Sequence, residues 1–368
     1  MRYFHYLFIY YLIFNFSFID ALKVYNISLE TKPRERWRII TNDYKDEIVY
    51  LMKNTSKLIL PIIFPTSFFG LHYHFDDNVY FKLIELFILS KIPFHYREEM
   101  YGIASQLNRT AGEVLLLNIF YDLLASNDSN NLLPFESSSI IFQDNTTSLY
   151  HFTKFDYHFK NLIKNMTFIV NFNQNGNLLF TSHHYGGFIG VMSGVKAKKF
   201  TISLNSRAKG HQIDNMKYIL HHQFNSISLT IRAILEYENS FEDAMLVVSE
   251  TPYAAPASFT LTGTKCHQGI VVMSDRYKTL AIKYINESKY KFLLSNEEEN
   301  SSKTSIILSE INYNMINSLE NITSKDILDK IFESKLNLEK NSTNIFQTIM
   351  SSNISNLIYN YSKFIAEE

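Results

Sequence analysis

Two histidine pairs, one cysteine–histidine step and a run of serines are the residues here whose types and spacing could do chemistry. Cys266-His267 invites a thiolate with an adjacent base. Neighbours on a strand point to opposite faces, so such a pair would not meet. His183-His184 and His221-His222 fail as metal sites for the same reason, since ligands must converge and no Cys, Asp or Glu stands at supporting spacing. Ser137-Ser138-Ser139 is different: it follows Pro134 and opens the apolar stretch Ser138–Phe142. A hydroxyl at the head of such a strand is a nucleophile if a base reaches it. No glycine-rich phosphate loop, Gly-x-Ser-x-Gly elbow or His-Glu-x-x-His occurs, so the motifs call for no metal and no cofactor.

The serine run stands where helical patterning gives way to strands. Ahead of it, Tyr25–Glu30 alternates as a strand ended by Lys32-Pro33, and Tyr44–Lys53, Val79–Ser90 and Glu98–Leu107 have helical spacing. Pro61, Pro65 and Pro93 punctuate them. Thr110-Ala111-Gly112-Glu113 is a capping box that opens a helix over Val114–Leu124. The polar run Ala125–Asn131 then predicts an exposed, cleavable linker. Behind the serines the period becomes two. Met166–Phe172 and Asn177–Thr181 form a hairpin through Asn175-Gly176, and Phe188–Met192 and Phe200–Ser203 continue the sheet. Helices follow at Asp214–Phe224, Ser228–Glu238 and Phe241–Ser249, then strands at Ser258–Leu261, Gly269–Met273 and Ala281–Ile285. Helices at Lys303–Ile316 and Lys325–Phe332 precede strand candidates Asn344–Met350 and Asn356–Phe364. The acidic run Asn296–Asn300 reads as a solvated loop. Such an order suggests two sheets between helical layers, an α+β architecture.

At 368 residues the chain can bury a large core, and 46% hydrophobic with 19% charged residues is an ordinary globular balance. A net charge of -1 argues against a nucleic-acid partner. The 12 histidines would mostly protonate in an acidic compartment, favouring anionic lipid surfaces, unless they are scattered filler. Residues 1–20 carry Arg2 and an apolar run from Tyr6 to Ile19, which reads as a secretory signal peptide. No later run reaches membrane-spanning length, so no stable transmembrane anchor is expected. Asn-x-Ser/Thr sequons at Asn26, Asn108, Asn165, Asn286 and Asn321, among others, fit the secretory route. Cys266 is the only cysteine, so stability must come from packing.

Whole segments carry more than the isolated motifs. Tyr25-Asn26-Ile27-Ser28-Leu29-Glu30 with Pro33-Arg34-Glu35-Arg36-Trp37 resembles the mature start of the acid ceramidase and N-acylethanolamine acid amidase family. Glu113–Asn118 with Tyr121, Leu149-Tyr150-His151, Phe155-Asp156-Tyr157, Lys199–Ser203, Ile231-Arg232-Ala233, Thr251-Pro252 and Lys303-Thr304-Ser305 extend that resemblance nearly end to end. Ser137–Asp144 looks like the family's nucleophile strand, typically C-T-S-I-V-A-Q-D. The resemblance implies an αββα sandwich of the N-terminal-nucleophile hydrolase type, preceded by a helical N-terminal region. It divides the chain into 21–136 and 137–368, corresponding to the family's α and β subunits. It also implies a lysosomal or secreted protein acting on a fatty-acyl amide lipid or at a lipid surface, with no statement about oligomeric state.

Family members cut themselves before a cysteine, then use its thiol as nucleophile and the new α-amine as base. This chain has Ser137 at that position and Thr153 where the family has its active-site arginine. Asp156 stands at the family's aspartate, and Ser206 at its glutamate. The oxyanion-hole asparagine falls on or near Lys289, or with a different gap on Ile285. Two readings follow. In one, the fold is kept and activity is lost or nearly lost. In the other, Ser137 attacks after cleavage at Glu136–Ser137, its α-amine is the base, Asp156 orients that amine, and Asn205 or Lys289 stabilises the oxyanion.

Overall fold

A computed structural model describes residues 22–64, 77–128, 135–143, 148–157, 159–207, 209–285, 292–294, 346–352 and 358–360. The signal segment, the acidic run and both helices expected between 303 and 332 lie outside the described residues. The described chain opens on strand β1 (Val24–Ser28), whose buried Tyr25 and Ile27 alternate with exposed Val24 and Asn26. Helices α1 (Arg38–Asp43), α2 (Lys45–Ile63), α3 (Asp77–Phe87), α4 (Phe94–Leu107), α5 (Ala111–Asn118) and α6 (Phe120–Leu124) follow. Strands β2 (Phe135–Gln143) and β3 (Leu149–Tyr157) come next, then the short α7 (Lys160–Ile163). Strands β4 (Thr167–Gln174), β5 (Asn177–Tyr185), β6 (Ser193–Lys196) and β7 (Phe200–Ser206) lead to α8 (Gln212–His221), α9 (Ile227–Tyr237) and α10 (Phe241–Glu250). The described chain finishes with β8 (Ala257–Thr262), β9 (Gly269–Ser274), β10 (Thr279–Tyr284), β11 (Phe292–Leu294), β12 (Phe346–Met350) and β13 (Ile358–Asn360).

The strands build two sheets. The larger runs β1-β4-β5-β6-β7-β8-β9-β10, antiparallel except that β1 joins β4 in parallel, with Tyr25 opposite Val170. The smaller runs β11-β2-β3-β12-β13 and is antiparallel throughout. One face of the large sheet is apolar. Phe168, Val170, Phe172, Ile202, Leu204, Phe259, Leu261, Ile270 and Val272 meet buried residues of the helices there in one core. The other face meets the small sheet, and its strand residues are largely hydroxyls, amides and imidazoles.

Local signals act where the sequence puts them. Thr110 Oγ1 accepts from the Glu113 amide at 3.3 Å, while Glu113 Oε2 accepts from the Thr110 amide at 3.0 Å, closing the capping box of α5. Asn175 and Gly176 turn the β4–β5 hairpin with φ of 51° and 77°. Other expectations need correction. Pro61 does not end a helix; it sits in the last turn of α2, where it forgoes its own bond to the Lys57 carbonyl while the helix runs on to Ile63. Phe188–Met192 is an irregular connection, pinned because Asn118 Nδ2 donates to the Gly187 carbonyl while its Oδ1 accepts from the Ile189 amide. Cys266 and His267 lie in the turn between β8 and β9, not on a strand. The described start of the supposed linker is docked: Ala125 and Ser126 are buried, and the Asn127 amide donates to the Gly210 carbonyl at 2.9 Å. Polar residues there serve as caps rather than as a solvated tether. Asp128 accepts from the Gln212 amide at 2.7 Å at the head of α8.

Candidate functional site

Ser137 lies inside β2, with Phe155 of β3 opposite it and Glu136 opposite Asp156. Phe135 and Glu136 are paired with β3, so the Glu136–Ser137 bond and the boundary between 136 and 137 fall within an unbroken ladder. Ser137 is 6% exposed, and its Oγ accepts a hydrogen bond from the Ser206 amide at 2.8 Å. That contact joins the two sheets at the end of β7. It brings the expected nucleophile position and the expected glutamate position together, although Ser206 contributes its backbone rather than a carboxylate.

Behind Ser137 the sheets meet through a buried polar seam. Ser139 Oγ lies 3.0 Å from Thr153 Oγ1, 2.9 Å from Ser203 Oγ and 2.8 Å from Asn205 Nδ2. Asn205 Oδ1 in turn accepts from Thr260 Oγ1 at 2.9 Å. His151 Nε2 sits 2.9 Å from Ser203 Oγ and its Nδ1 2.8 Å from Thr201 Oγ1, which meets Thr262 Oγ1 at 2.6 Å. His183 completes the layer, with Nδ1 3.2 Å from Ser193 and Nε2 3.2 Å from Thr348. The residues alternate along β7 and β8, so each inward hydroxyl has an outward-packed Ile, Leu or Phe as neighbour.

Thr153, at the expected arginine position, therefore joins this network, and Asn205 has both ends of its amide engaged by Ser139 and Thr260. Of Asp156 the structure describes the backbone, opposite Glu136. Lys289 lies outside the described residues. Ile285, the alternative for the oxyanion position, packs with Ile141, Leu149 and Val271 in a small apolar cluster. Phe292, the first described residue after it, faces Phe142, and β11 runs from there toward the Ser137 end of β2.

At His151 the seam is electrically neutral. Burial alone pushes the His151 imidazole down to about 3; for His184, on the helical side of β5, burial with the Arg232 and His183 charges outweighs the Phe188 carbonyl and takes it equally low. The expectation that the histidines charge together in acid therefore fails at these positions. Among the described residues no group of three or more His, Cys, Asp or Glu could hold a metal ion. Two cavities of about 240 Å³ each lie elsewhere. One is bordered by Ile62, Asp128, His211 and Met216 and the other by Lys91, Tyr96, Phe224 and Leu229; neither lining includes Ser137.

The ionic residues that sequence reading passed over lie at the helix–sheet junction. Arg232 is fully buried, donates to both oxygens of Glu99 at 2.6 and 2.7 Å, and reaches Glu236 at 2.8 Å. Arg36 Nη1 and Trp37 Nε1 also donate to Glu99, at 2.8 and 2.6 Å. Burial pushes the Glu99 carboxyl up, but the Arg232 charge and these donors outweigh it and hold the group below the usual carboxylate range. Arg232 and Glu236 stand four residues apart on α9, a spacing that surface ion pairs share, so spacing alone does not mark them. The signal that marked them was the resemblance, which ran through both Arg34–Trp37 and Ile231–Ala233.

Comparison with known proteins places this geometry. No family model matches the chain. It is 26% identical over 281 residues to N-acylethanolamine-hydrolyzing acid amidase of Caenorhabditis elegans, covering 76% of this chain and 75% of that one. It is 28% identical over 259 residues to the amidase of the same name from Rattus norvegicus, covering 69% and 64%. Acid ceramidase of Bos taurus is 28% identical over 277 residues, covering 70% and 65%. The chain thus matches less than two thirds of the rat and bovine proteins. Among solved structures, the C. elegans N-acylethanolamine-hydrolyzing acid amidase ortholog superposes with a TM-score of 0.50 at 21% identity, covering 59% of this chain and 93% of that one. That likeness shows the fold, the N-terminal-nucleophile hydrolase sandwich.

Proposed function

The chain is a homologue of the acid ceramidases and N-acylethanolamine acid amidases, and from that premise we propose that it binds fatty-acyl amides, or the lipid surface bearing them, with amidase turnover lost or nearly lost. The observation that carries this reading is the uncharged network behind Ser137, in which the Ser139 hydroxyl meets Thr153, Ser203 and Asn205. The positions that would supply a cation and a carboxylate hold Thr153 and Ser206, and His151, the imidazole of the network, stays uncharged well below neutral pH. A thiol is partly ionised near neutrality, whereas a serine hydroxyl needs a positioned base throughout. Removing one oxyanion donor typically costs about 2.7–4 kcal/mol, and here several members of one cooperative site differ.

One contact favours a second reading, an active serine-type amidase. The Ser206 amide donates to Ser137 Oγ, where it would stabilise a developing alkoxide. In that reading cleavage at Glu136–Ser137 frees the α-amine as base, Asp156 orients it, and Asn205 or Lys289 serves the oxyanion. Incubating the full chain and Ser137→Ala with N-acylethanolamides and ceramides at acidic pH separates the two. The first reading expects a ligand-dependent rise in thermal midpoint and no fatty-acid release above that of Ser137→Ala; release confined to the unsubstituted chain supports the second.

The reading includes passage through the secretory or lysosomal route, supported by the apolar run at residues 6–19 and by exposed sequon asparagines at Asn26, Asn108 and Asn165. No helix of the described residues is long and apolar enough to cross a membrane. Protein expressed through a eukaryotic secretory pathway should start near Ala21 to Tyr25 and lose mass on endoglycosidase treatment. An N-terminus at Met1 with unchanged mass would contradict this route.

A further inference from the structure

The seam between the sheets contains enough unambiguous donors to fix where its hydrogens point. Asn205 Nδ2 can only donate, and it does so to Ser139 Oγ. Ser139 donates its single hydrogen to Thr153 Oγ1. Its contact with Ser203 must then be one in which Ser203 donates, because Ser139 has no second hydrogen. Ser203, with its hydrogen committed, can only accept from His151 Nε2. A neutral imidazole carries one N–H, so His151 Nδ1 is an acceptor and takes the Thr201 hydroxyl, which in turn accepts from Thr262. Both ring nitrogens are satisfied by neutral hydroxyls, and the residue is 0% exposed. Burial depresses its basicity strongly, so protonation does not interrupt the chain at ordinary pH.

We propose that His151 is a positioning residue of the Ser137 site, held as the Nε2–H tautomer in a one-way hydrogen-bond chain running Thr262 to Thr201 to His151 to Ser203 to Ser139 to Thr153. The chain keeps the lone pairs of Ser139 turned toward Ser203 and Asn205. It thereby locks β2 to β7 two residues from Ser137 and delivers a donor hydrogen at Thr153. A diagonal cross-strand neighbour of this kind lies about 7–8 Å from its partner by Cα, so Thr153 shares the inward face with Ser137. Because every link has a direction, a change at one end is felt at the other. That separates a positioning role from simple packing.

The test is the long-range 1H–15N correlation of His151 in the full chain labelled with 15N-histidine, assigned by loss of its signals in His151→Gln. The expected pattern is a protonated-type Nε2 and an unprotonated-type Nδ1, unchanged from pH 5 to 8. In Thr153→Val, Ser139 loses its acceptor and can donate toward Ser203, so the chain is free to reverse and an Nδ1–H population should appear. In Thr262→Val the Nε2–H form should persist, since Thr201 still donates to Nδ1. An Nδ1–H form or a titration between pH 5 and 8 in the unsubstituted chain would overturn the proposal. So would a tautomer unaltered in folded Thr153→Val. If Thr153→Val does not fold, the unsubstituted spectrum alone decides.

Discussion

On the proposed reading, substituting Ser137 by cysteine provides a better nucleophile but neither a charge at Thr153 nor a carboxylate at Ser206. Ser137→Cys is therefore expected to release no more fatty acid from N-acylethanolamides than the unsubstituted chain, measured by mass spectrometry of products; substantial turnover from that single change would show Thr153 and Ser206 to be adequate at their positions. Asp122 offers a second test at this scale. It is buried, accepting from the Ile227 amide at 3.0 Å and from Ser226 Oγ at 2.9 Å, and burial raises its pKa from 3.8 to about 7 despite those bonds. The folded-state value lies above the unfolded one. Its contribution to stability is thus full below about pH 4 and is lost as pH rises through about 7, at about 1.4 kcal/mol per unit within that window. Asp122→Asn should remove this component, so the difference in denaturant midpoint between variant and unsubstituted chain should move in the variant's favour from pH 4.5 to 7. A constant difference would mean that Asp122 is ionised in the fold at both values.

Between elements, the cluster around Arg232 determines whether the helical region and the sheet stay registered. Arg232→Ala would leave Glu99 and Glu236 buried without their shared cation, and breaking such a pair is worth about 3–5 kcal/mol. The midpoint of urea unfolding should fall accordingly; a loss below about 1 kcal/mol would mean that water replaces the guanidinium freely. Gly102 marks another contact of this kind. A β-carbon there would lie 2.1 Å from the Arg34 carbonyl oxygen, so α4 can approach the turn at Pro33–Glu35 only with glycine. Some of these relations were readable and some were not. The capping box and the Asn-Gly hairpin use local chemistry, and both lie where their residues predict. The polar face of Phe200–Ser206, alternating Thr201, Ser203 and Asn205, has the pattern of a strand exposed to solvent on one side. It is instead covered by a second sheet, and alternation alone cannot tell water from a polar partner. The β1–β4 pairing joins residues 145 apart in sequence, such as Val24 and Ile169, and leaves no local trace.

At the scale of the whole molecule, the chain before and after the serine run forms one body. β1 is an edge strand of the large sheet, Glu99 grips Arg232, Asp128 caps α8, and the Tyr121 hydroxyl donates to the Pro256 carbonyl at 2.7 Å. A protease cut between Asp128 and Phe135 should therefore leave two fragments that co-elute in gel filtration under native conditions and separate only in denaturant. Fragments that part without denaturant would contradict that account. The family architecture was legible because the resembling segments coincide with these junctions: Arg36 and Trp37, Asn118 and Tyr121, Arg232. The candidate site was legible only as positions. Sequence could not show that Thr153 would be taken into a hydroxyl network or that Ser206 would meet Ser137 through its amide, since both depend on how two sheets face each other.

The central claim is that this amidase fold holds an uncut Glu136–Ser137 bond in front of an uncharged hydroxyl network, and intact-mass spectrometry tests it most directly. The secreted full chain, incubated for a day at a mildly acidic pH and at neutral pH, is predicted to retain one unbroken polypeptide mass at both. A fragment with Ser137 as its new N-terminus, formed at acidic pH in the unsubstituted chain and absent in Ser137→Ala, would contradict it.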